Sequence, residues 1–308
     1  MSSPLYLIDA SIYIFRHYFA MPDNWHSREG YSTQAVYGYL NFLLTLIEKE
    51  SPEYIAAAFD ESLSHCFRNK IYPDYKANRV LPDEALAFQL NACSEVTGIL
   101  GIAGFASHTH EADDIIGTLA HRGRQRDGRQ IIVVSRDKDL MQLVGPEDLI
   151  WDYGYAEPQD RMAVMVRMGV WPEQMADYLA LVGDSIDNIP GVPGVGAKTA
   201  AALLKHFGSL HALLQAGELI AEAPVRGAKN LPAKIGAYRE QVLMARELTK
   251  IAENAPVDNV EMNPEANVEL KRQPVALNAL TDFCQRMGLG ERLLAKADRL
   301  VDGMGSTL

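Results

Sequence analysis

The chain has 308 residues, 48% of them hydrophobic and 22% charged, with a formal net charge of −11. That length supports a sizeable core, as one large domain or as one with a smaller partner, and no run of about 18 apolar residues could span a membrane. Cys66, Cys93 and Cys284 are far apart and form no C-x-x-C pair, which argues against a disulfide framework or zinc site and for a reducing, cytoplasmic setting. The chain opens directly on an apolar strand without a basic leader, so no signal peptide is expected. The acidic balance argues against a polyanion partner unless the opposing charge is local.

PLYLIDAS reads as a short buried strand ending in Asp9, and Ser11 to Phe19 continues apolar and aromatic with Arg16 and His17 interleaved. Ser32 to Glu50 is a predicted helix, because Ala35, Val36, Tyr39, Leu40, Leu43, Leu46 and Ile47 recur at helical spacing before Pro52 stops it. EYIAAAFD is a second buried strand, ending in Asp60. Both strands thus place an Asp at the carboxyl end, where open α/β sheets bind ligands. An Asp that merely starts a turn is the plainer alternative.

Residues 61–82 alternate Arg68, Lys70, Lys76 and Arg79 with Phe67, Tyr72 and Tyr75, without a clean period. Such a segment is either a solvated loop or a basic, aromatic element that holds phosphates and stacks on bases. Asp83 to Ile102 is a predicted helix capped by Gly101 and Gly104. Glu111-Ala112-Asp113-Asp114 then opens a half-buried helix. Acids favour a first helical turn, but two charges about 4 Å apart cost roughly 4 kcal/mol at an effective dielectric of about 20. Carboxylates crowded in this way hold protons or bind a cation. His108 and His110 precede them; surface loop histidines are the commoner case than a ligand pair.

RQIIVVS is a third buried strand, running into Arg136, Asp137, Lys138 and Asp139 and then a short apolar turn from Leu140 to Val144. DLIWDYG is a candidate fourth strand. Strands alternating with long helices predict a parallel, doubly wound sheet. Asp184 and Asp187, three apart, follow a helix from Pro172 to Val182. Gly191, Gly194 and Gly196 then precede a helix opening at Ala197-Lys198-Thr199, and bare N–H groups at a helix start suit a phosphate. The Walker A spacing fails, and the pattern is that of a helix-hairpin-helix clamp on a DNA backbone; a plain glycine turn is the alternative. Residues 190–250 carry eight Lys/Arg against four Glu, a local answer to the acidic balance. Residues 255–268 read as an extended strap and Gln273 to Leu300 as a last helical region.

LIDAS, AFD, FR…YPDYKANR, EADDIIG, RDKDLMQLV and GDSIDNIPGVPGVGAKTA occur in this order, and together they resemble the 5′-nuclease (flap endonuclease) superfamily. The resemblance is in particular to the 5′–3′ exonuclease domain of bacterial DNA polymerase I, and it extends to roughly residue 295. No polymerase segment follows, so a stand-alone enzyme is expected. The resemblance implies a PIN-like α/β core with a mostly parallel sheet and a helical arch over residues 1–170, the arch within about 61–92. It implies a helical, helix-three-turn-helix DNA-binding region over 171–308. Its metal carboxylates fall on Asp9, Asp60, Glu111, Asp113, Asp114, Asp137, Asp139, Asp184 and Asp187. Asp9, Asp60, Glu111 and Asp113 would serve one metal, and Asp137, Asp139 and Asp187 another, with Asp114 and Asp184 at the second site or behind the ligands. Lys76 and Arg79 match residues that bind and activate the scissile phosphate, and Arg68 and Tyr75 match neighbouring substrate contacts. Mg²⁺ or Mn²⁺ would be the cofactor, in two or more sites, and K⁺ could sit at the glycine loop. Arg136 stands where the family usually has Gly, which adds charge beside a ligand without removing one.

The reading is a structure-specific 5′ nuclease, monomeric, that cuts DNA at 5′ flaps, overhangs or nicks in primer removal and repair, with a DNA polymerase as partner. The rival readings are a catalytically silent DNA-junction binder and a phosphohydrolase of small substrates. A pure binder gains nothing from acids near phosphate, and a small-substrate enzyme would not need the basic 190–250 half.

Overall fold

The computed structural model describes residues 2–62, 65–79, 82–256 and 270–305. Strands β1 (Leu5–Asp9), β2 (Tyr54–Ala58), β3 (Ala103–Phe105), β4 (Ile131–Val134) and β5 (Leu149–Trp151) form one sheet in the order β3-β2-β1-β4-β5. Every pairing is parallel. Parallel strands covered on both faces read as continuous apolar runs, and that is the pattern of LYLID and IIVV. Leu5 and Leu7 enter one core with Ile115, Ile116 and Leu119, while Tyr6 and Ile8 enter the other with Tyr39 and Leu43.

Helix α5 (Ala112–Asp127) covers the first face, and α1 (Ala10–Ala20), α2 (Gln34–Glu50) and α4 (Glu84–Ile99) cover the second. The helical repeat of α2 is fully spent on packing: Ala35, Val36, Tyr39, Leu40, Leu43 and Leu46 are 0% exposed. Each large side chain buried in this way contributes about 1.5–3 kcal/mol before entropy. Asp83 caps α4 by accepting from the Leu86 N–H at 2.8 Å. Between β2 and α4 lies the short α3 (Phe67–Ile71), followed by turns.

The regular elements that follow β5 among the described residues are helices: α6 (Arg161–Met168), α7 (Met175–Val182), α8 (Ala197–Phe207), α9 (Leu210–Ala216), α10 (Leu231–Ala237) and α11 (Arg239–Thr249). Asp177 joins several of these, pairing with Arg246 at 2.6 Å and accepting from the Leu210 N–H at 2.8 Å. Helices α12 (Leu277–Arg286) and α13 (Glu291–Gly305) then return to the α/β core. Leu280, Phe283, Leu289 and Leu293 pack in the same core as Tyr39 and Val96.

Some local expectations change. The helix from Asp83 stops at Ile99, and Gly104 lies inside β3 instead of capping it. A three-residue strand centred on glycine is too short to show a period; it forms because it pairs with β2 and because the Phe59 N–H bonds the Phe105 carbonyl at 2.8 Å. The single helical region expected from Gln273 is broken between α12 and α13 by Gly288 and Gly290, at φ of 65° and 75°. The strap expected over 255–268 lies, from 257 onward, outside the described residues. The three cysteines are free and buried, and no helix among the described residues is long and apolar enough to cross a membrane.

Gly101 is where the returning C-terminal segment crosses the end of α4. It has φ +74°, and a Cβ there would lie 2.0 Å from the Gln273 carbonyl oxygen. Gly101→Ala should therefore cost clearly more than the roughly 1 kcal/mol of left-handed strain alone. Gly128→Ala, with φ +57° and nothing within 4 Å of the added carbon, isolates that strain. Urea denaturation of both variants checks the ordering, and equal midpoints would refute it.

Candidate active site

The carboxylates gather at the carboxyl edge of the sheet because the strand order reverses around β1, which has β2 on one side and β4 on the other. Asp9 ends β1 and caps α1, accepting from the Ile12 N–H at 3.2 Å. Its other oxygen accepts from the Ser135 hydroxyl at 2.8 Å, and the same hydroxyl oxygen accepts from the Asp137 N–H at 3.0 Å. Asp60, beyond β2, donates its N–H to Ser11 Oγ at 2.9 Å and accepts from the Ala112 N–H at 2.8 Å. That last bond brings the start of α5, with Glu111 and Asp113, to the same edge. The Asp139 N–H donates to Asp137 at 2.9 Å and opens a 3₁₀ turn, Asp139–Leu143.

Mutual repulsion and burial dominate the electrostatics. Burial, then Asp60, pushes the Asp9 carboxyl up to about 7. Burial, then Asp137, raises Asp139 to about 7. Asp113 is pushed well above the carboxylate range by burial and by Asp137, Asp9 and Asp60. Asp60 is raised by burial and by Glu111. Glu111 goes the other way: burial opposes its charge, but Lys76 and Arg68 outweigh that and hold it at about 2.

The cations are arranged around this nest. Lys76, in the left-handed region at φ 55°, pairs with Glu111 and lies 3.6 Å from Asp187. Its backbone N–H donates to the Asp187 carbonyl at 3.0 Å. Arg79 pairs with Asp187 at 2.8 Å and is 47% exposed, so its guanidinium is open to an incoming anion. Asn188 donates to the Asp74 carbonyl at 2.7 Å and Asn78 to the Ser185 carbonyl at 3.3 Å, which seats residues 74–79 on the Asp184–Asn188 turn. Lys138 pairs with Asp184 at 2.6 Å.

Two expected DNA contacts are placed otherwise. Arg68 is 3% exposed, its guanidinium turned inward onto Asp114 and Glu111. The Tyr75 ring is buried and its hydroxyl donates to Glu111 at 2.8 Å, so it is not a stacking platform. Asp114 is 0% exposed and sits behind Glu111 on the Arg68 guanidinium. Gly191 has a packing reason: a Cβ there would lie 2.3 Å from the Val182 backbone. Gly194 (φ +78°) turns the loop towards Lys234, and Gly196 caps α8 with Lys198 exposed and Thr199 half-buried. Arg136 is exposed at the end of β4. The sequence reading missed Ser11 and Ser135, which orient Asp60 and Asp9, and Lys138. The signal available was position: each serine stands two residues from an acid at a strand end.

Among the described residues no three His, Cys, Asp or Glu side chains already stand as a closed metal-holding group. Lys76, Arg79 and Lys138 draw Glu111, Asp187 and Asp184 towards themselves. The donor set nevertheless fits a hard divalent cation. It is all oxygen, as Mg²⁺ prefers, several of its acids are held from ionising by one another, and Asp139 Oδ1 is buried with no hydrogen-bond partner.

These shifts give stability a definite pH dependence. Asp9 and Asp139 bind protons more tightly folded than unfolded, so their contribution is complete below about 4 and is lost as pH rises through about 7. Glu111 contributes above about 4.5 and is lost as pH falls towards about 2. In EDTA the melting temperature should fall between pH 5 and pH 8, and Mg²⁺ should restore more of it at pH 8 than at pH 5. Differential scanning calorimetry at both values checks this, and a Mg²⁺ response of equal size at both would count against it.

Residues 4–169 match the 5′-3′ exonuclease N-terminal, resolvase-like domain, and residues 170–272 match the 5′-3′ exonuclease C-terminal SAM fold. A 5′-3′ exonuclease of Aquifex aeolicus is 34% identical over 96% of this chain and 96% of its own length. DNA polymerase I of Mycobacterium tuberculosis is 36% identical over 84% of this chain, which spans 29% of the polymerase. In fold, the chain is similar to the T5 5′-exonuclease solved with bound zinc ions (TM-score 0.64, 18% identity, 97% of this chain and 98% of that one). It is also similar to the catalytic core of Rad2 in complex with DNA substrate (TM-score 0.59, 14% identity, 98% and 92%). By both domain matches and by the full-length relative, the chain belongs to the 5′-3′ exonuclease family.

Proposed function

We propose that the chain is a divalent-metal-dependent 5′ nuclease that hydrolyses DNA phosphodiesters at 5′ flaps and 5′ ends, in primer removal and repair. One observation carries this reading: Asp9, Asp60, Asp113 and Asp139 are pushed towards protonation by burial and by neighbouring acids, with Lys76 acting on Asp60 and Asp113 and Arg79 on Asp60. Asp9, Asp60, Glu111 and Asp113 would hold one Mg²⁺ or Mn²⁺, and Asp137, Asp139 and Asp187 a second. Bound there, the metals would supply a nucleophilic water at neutral pH and relieve charge on the departing oxygen.

The chain's own groups do the rest. Ser135 and Ser11 aim Asp9 and Asp60 by their hydrogen bonds. Lys76 stays charged: burial disfavours its ammonium, but Glu111 and Asp187 more than offset that. It and Arg79 bind the oxygens of the scissile phosphate, Arg79 with a fork that can take two at once. The N–H groups from Gly196 to Thr199, with Lys198, hold a backbone phosphate further along the duplex at the positive end of α8. Contacts of this kind release counterions, so binding weakens steeply with salt. The likeness to part of DNA polymerase I supports a place beside a DNA polymerase, with this chain acting as a monomer.

The test is cleavage of a 5′-flap duplex with Mg²⁺, with EDTA, and by two variants. Asp113→Ala with Asp137→Ala should abolish cutting while DNA binding survives. Lys76→Ala should lower kcat by about 10²–10³, the cost of one group that stabilises developing charge. Tight, salt-sensitive binding with no cutting under Mg²⁺ or Mn²⁺ would replace the nuclease by a junction-binding protein.

A further inference from the structure

Arg68 uses every N–H it has. A guanidinium carries five in a rigid planar fork. Nε donates to the Leu248 carbonyl at 2.7 Å and Nη2 to the Lys250 carbonyl at 3.0 Å. Nη1 donates to Glu111 at 3.0 Å and to Asp114 at 2.6 Å, and Nη2 also donates to Asp114 at 2.8 Å. Because the fork does not bend, the positions of Leu248 and Lys250 dictate that of Glu111. Asp114 fixes the same segment from the other side, accepting from the Ala252 N–H at 2.8 Å.

The stretch from 248 to 252 has a second latch. Gln142 Nε2 donates to the Thr249 carbonyl at 3.0 Å, and Gln142 Oε1 accepts from the Ile251 N–H at 3.1 Å. The same amide nitrogen donates to the Asp139 carbonyl at 2.9 Å, within the 3₁₀ turn that begins at that acid. One segment leaving α11 is therefore joined to Glu111 through Arg68 and to Asp139 through Gln142. Upstream, α11 is tied by Arg246 to Asp177 on α7, the helix that leads into the Asp184–Asp187 turn.

We propose that Arg68 and Gln142 are positioning residues that set the spacing of the two carboxylate halves, with the 248–252 segment of the helical region as their common reference. Resting on the nuclease reading, this gives the helical region a duty beyond holding DNA: it holds the metal-binding acids in register.

Arg68→Lys keeps the charge and loses the fork, and Gln142→Ala leaves the buried ion pair intact. Mn²⁺ binding without DNA is followed by electron paramagnetic resonance, and kcat and KM are measured on a 5′-flap duplex. Groups that orient ligands typically change metal affinity about 10–100-fold when lost. Folded Arg68→Lys should weaken Mn²⁺ binding about tenfold or more and lower kcat, with KM for DNA little changed. Gln142→Ala should move both in the same direction by about threefold, and the double variant should fall short of the product of the single effects, as neighbours sharing one element do. Wild-type Mn²⁺ affinity in folded Arg68→Lys would overturn the proposal, and so would a raised KM with unchanged Mn²⁺ binding, which would make Arg68 a DNA contact. If Arg68→Lys does not fold, Gln142→Ala decides alone, and unchanged Mn²⁺ affinity there overturns the proposal. A wild-type protein that binds Mn²⁺ but never cuts DNA removes the nuclease reading and leaves the metal-binding outcome standing.

Discussion

Repulsion among buried carboxylates is the constraint to which the rest of this molecule answers. Asp9, Asp60, Asp113, Asp137 and Asp139 are brought within electrostatic reach of one another at a single sheet edge. Left alone, such a cluster would be expelled or neutralised. The fold resists by giving three of these acids a backbone N–H to accept from, a bond that favours the charged form. Asp9 caps α1, Asp60 caps the start of α5, and Asp137 holds the turn into Asp139. Asp9, Asp60 and Asp137 therefore each have a part in local structure.

Charge is met in two layers. Inside, Arg68 neutralises Asp114 and part of Glu111 with all its donors satisfied, the condition under which a buried ion pair is tolerable. Outside, Lys76 and Arg79 approach from a turn-rich segment seated on Asp184–Asn188 and keep one side towards solvent. The inner layer cannot leave without exposing an unpaired buried charge. The outer layer is more open, Arg79 above all, whose side chain is 47% exposed. The acids of the nest lie inward, while Arg79 and Lys138 keep part of their side chains exposed.

Much of the framework was legible in the residues. The apolar runs LYLID, YIAAA and IIVV and the helical repeat of α2 are strong local signals, and they form the elements they predict. The acids at strand ends were visible as pattern because a parallel sheet puts every strand's carboxyl end on one edge. What escaped was short or non-local. β3 has three residues, and the split between α12 and α13 turns on two glycines. Gly191 looked like a phosphate glycine, although its need is a close crossing of the Val182 backbone.

The sequence alone determined the fold class and the family, since each of these is carried by residue type and local spacing. Only the tertiary structure decided which partner each charge keeps. Arg68 and Lys76 lie eight positions apart in one basic stretch, yet one is sealed behind Glu111 and the other stands before it. The difference is made by Leu248 and Lys250, about 180 residues away, whose carbonyls draw the Arg68 guanidinium inward. Spacing along the chain encodes which face of a helix a residue shares, but burial and pairing come from segments that meet only when the core closes, and there the low dielectric turns position into role.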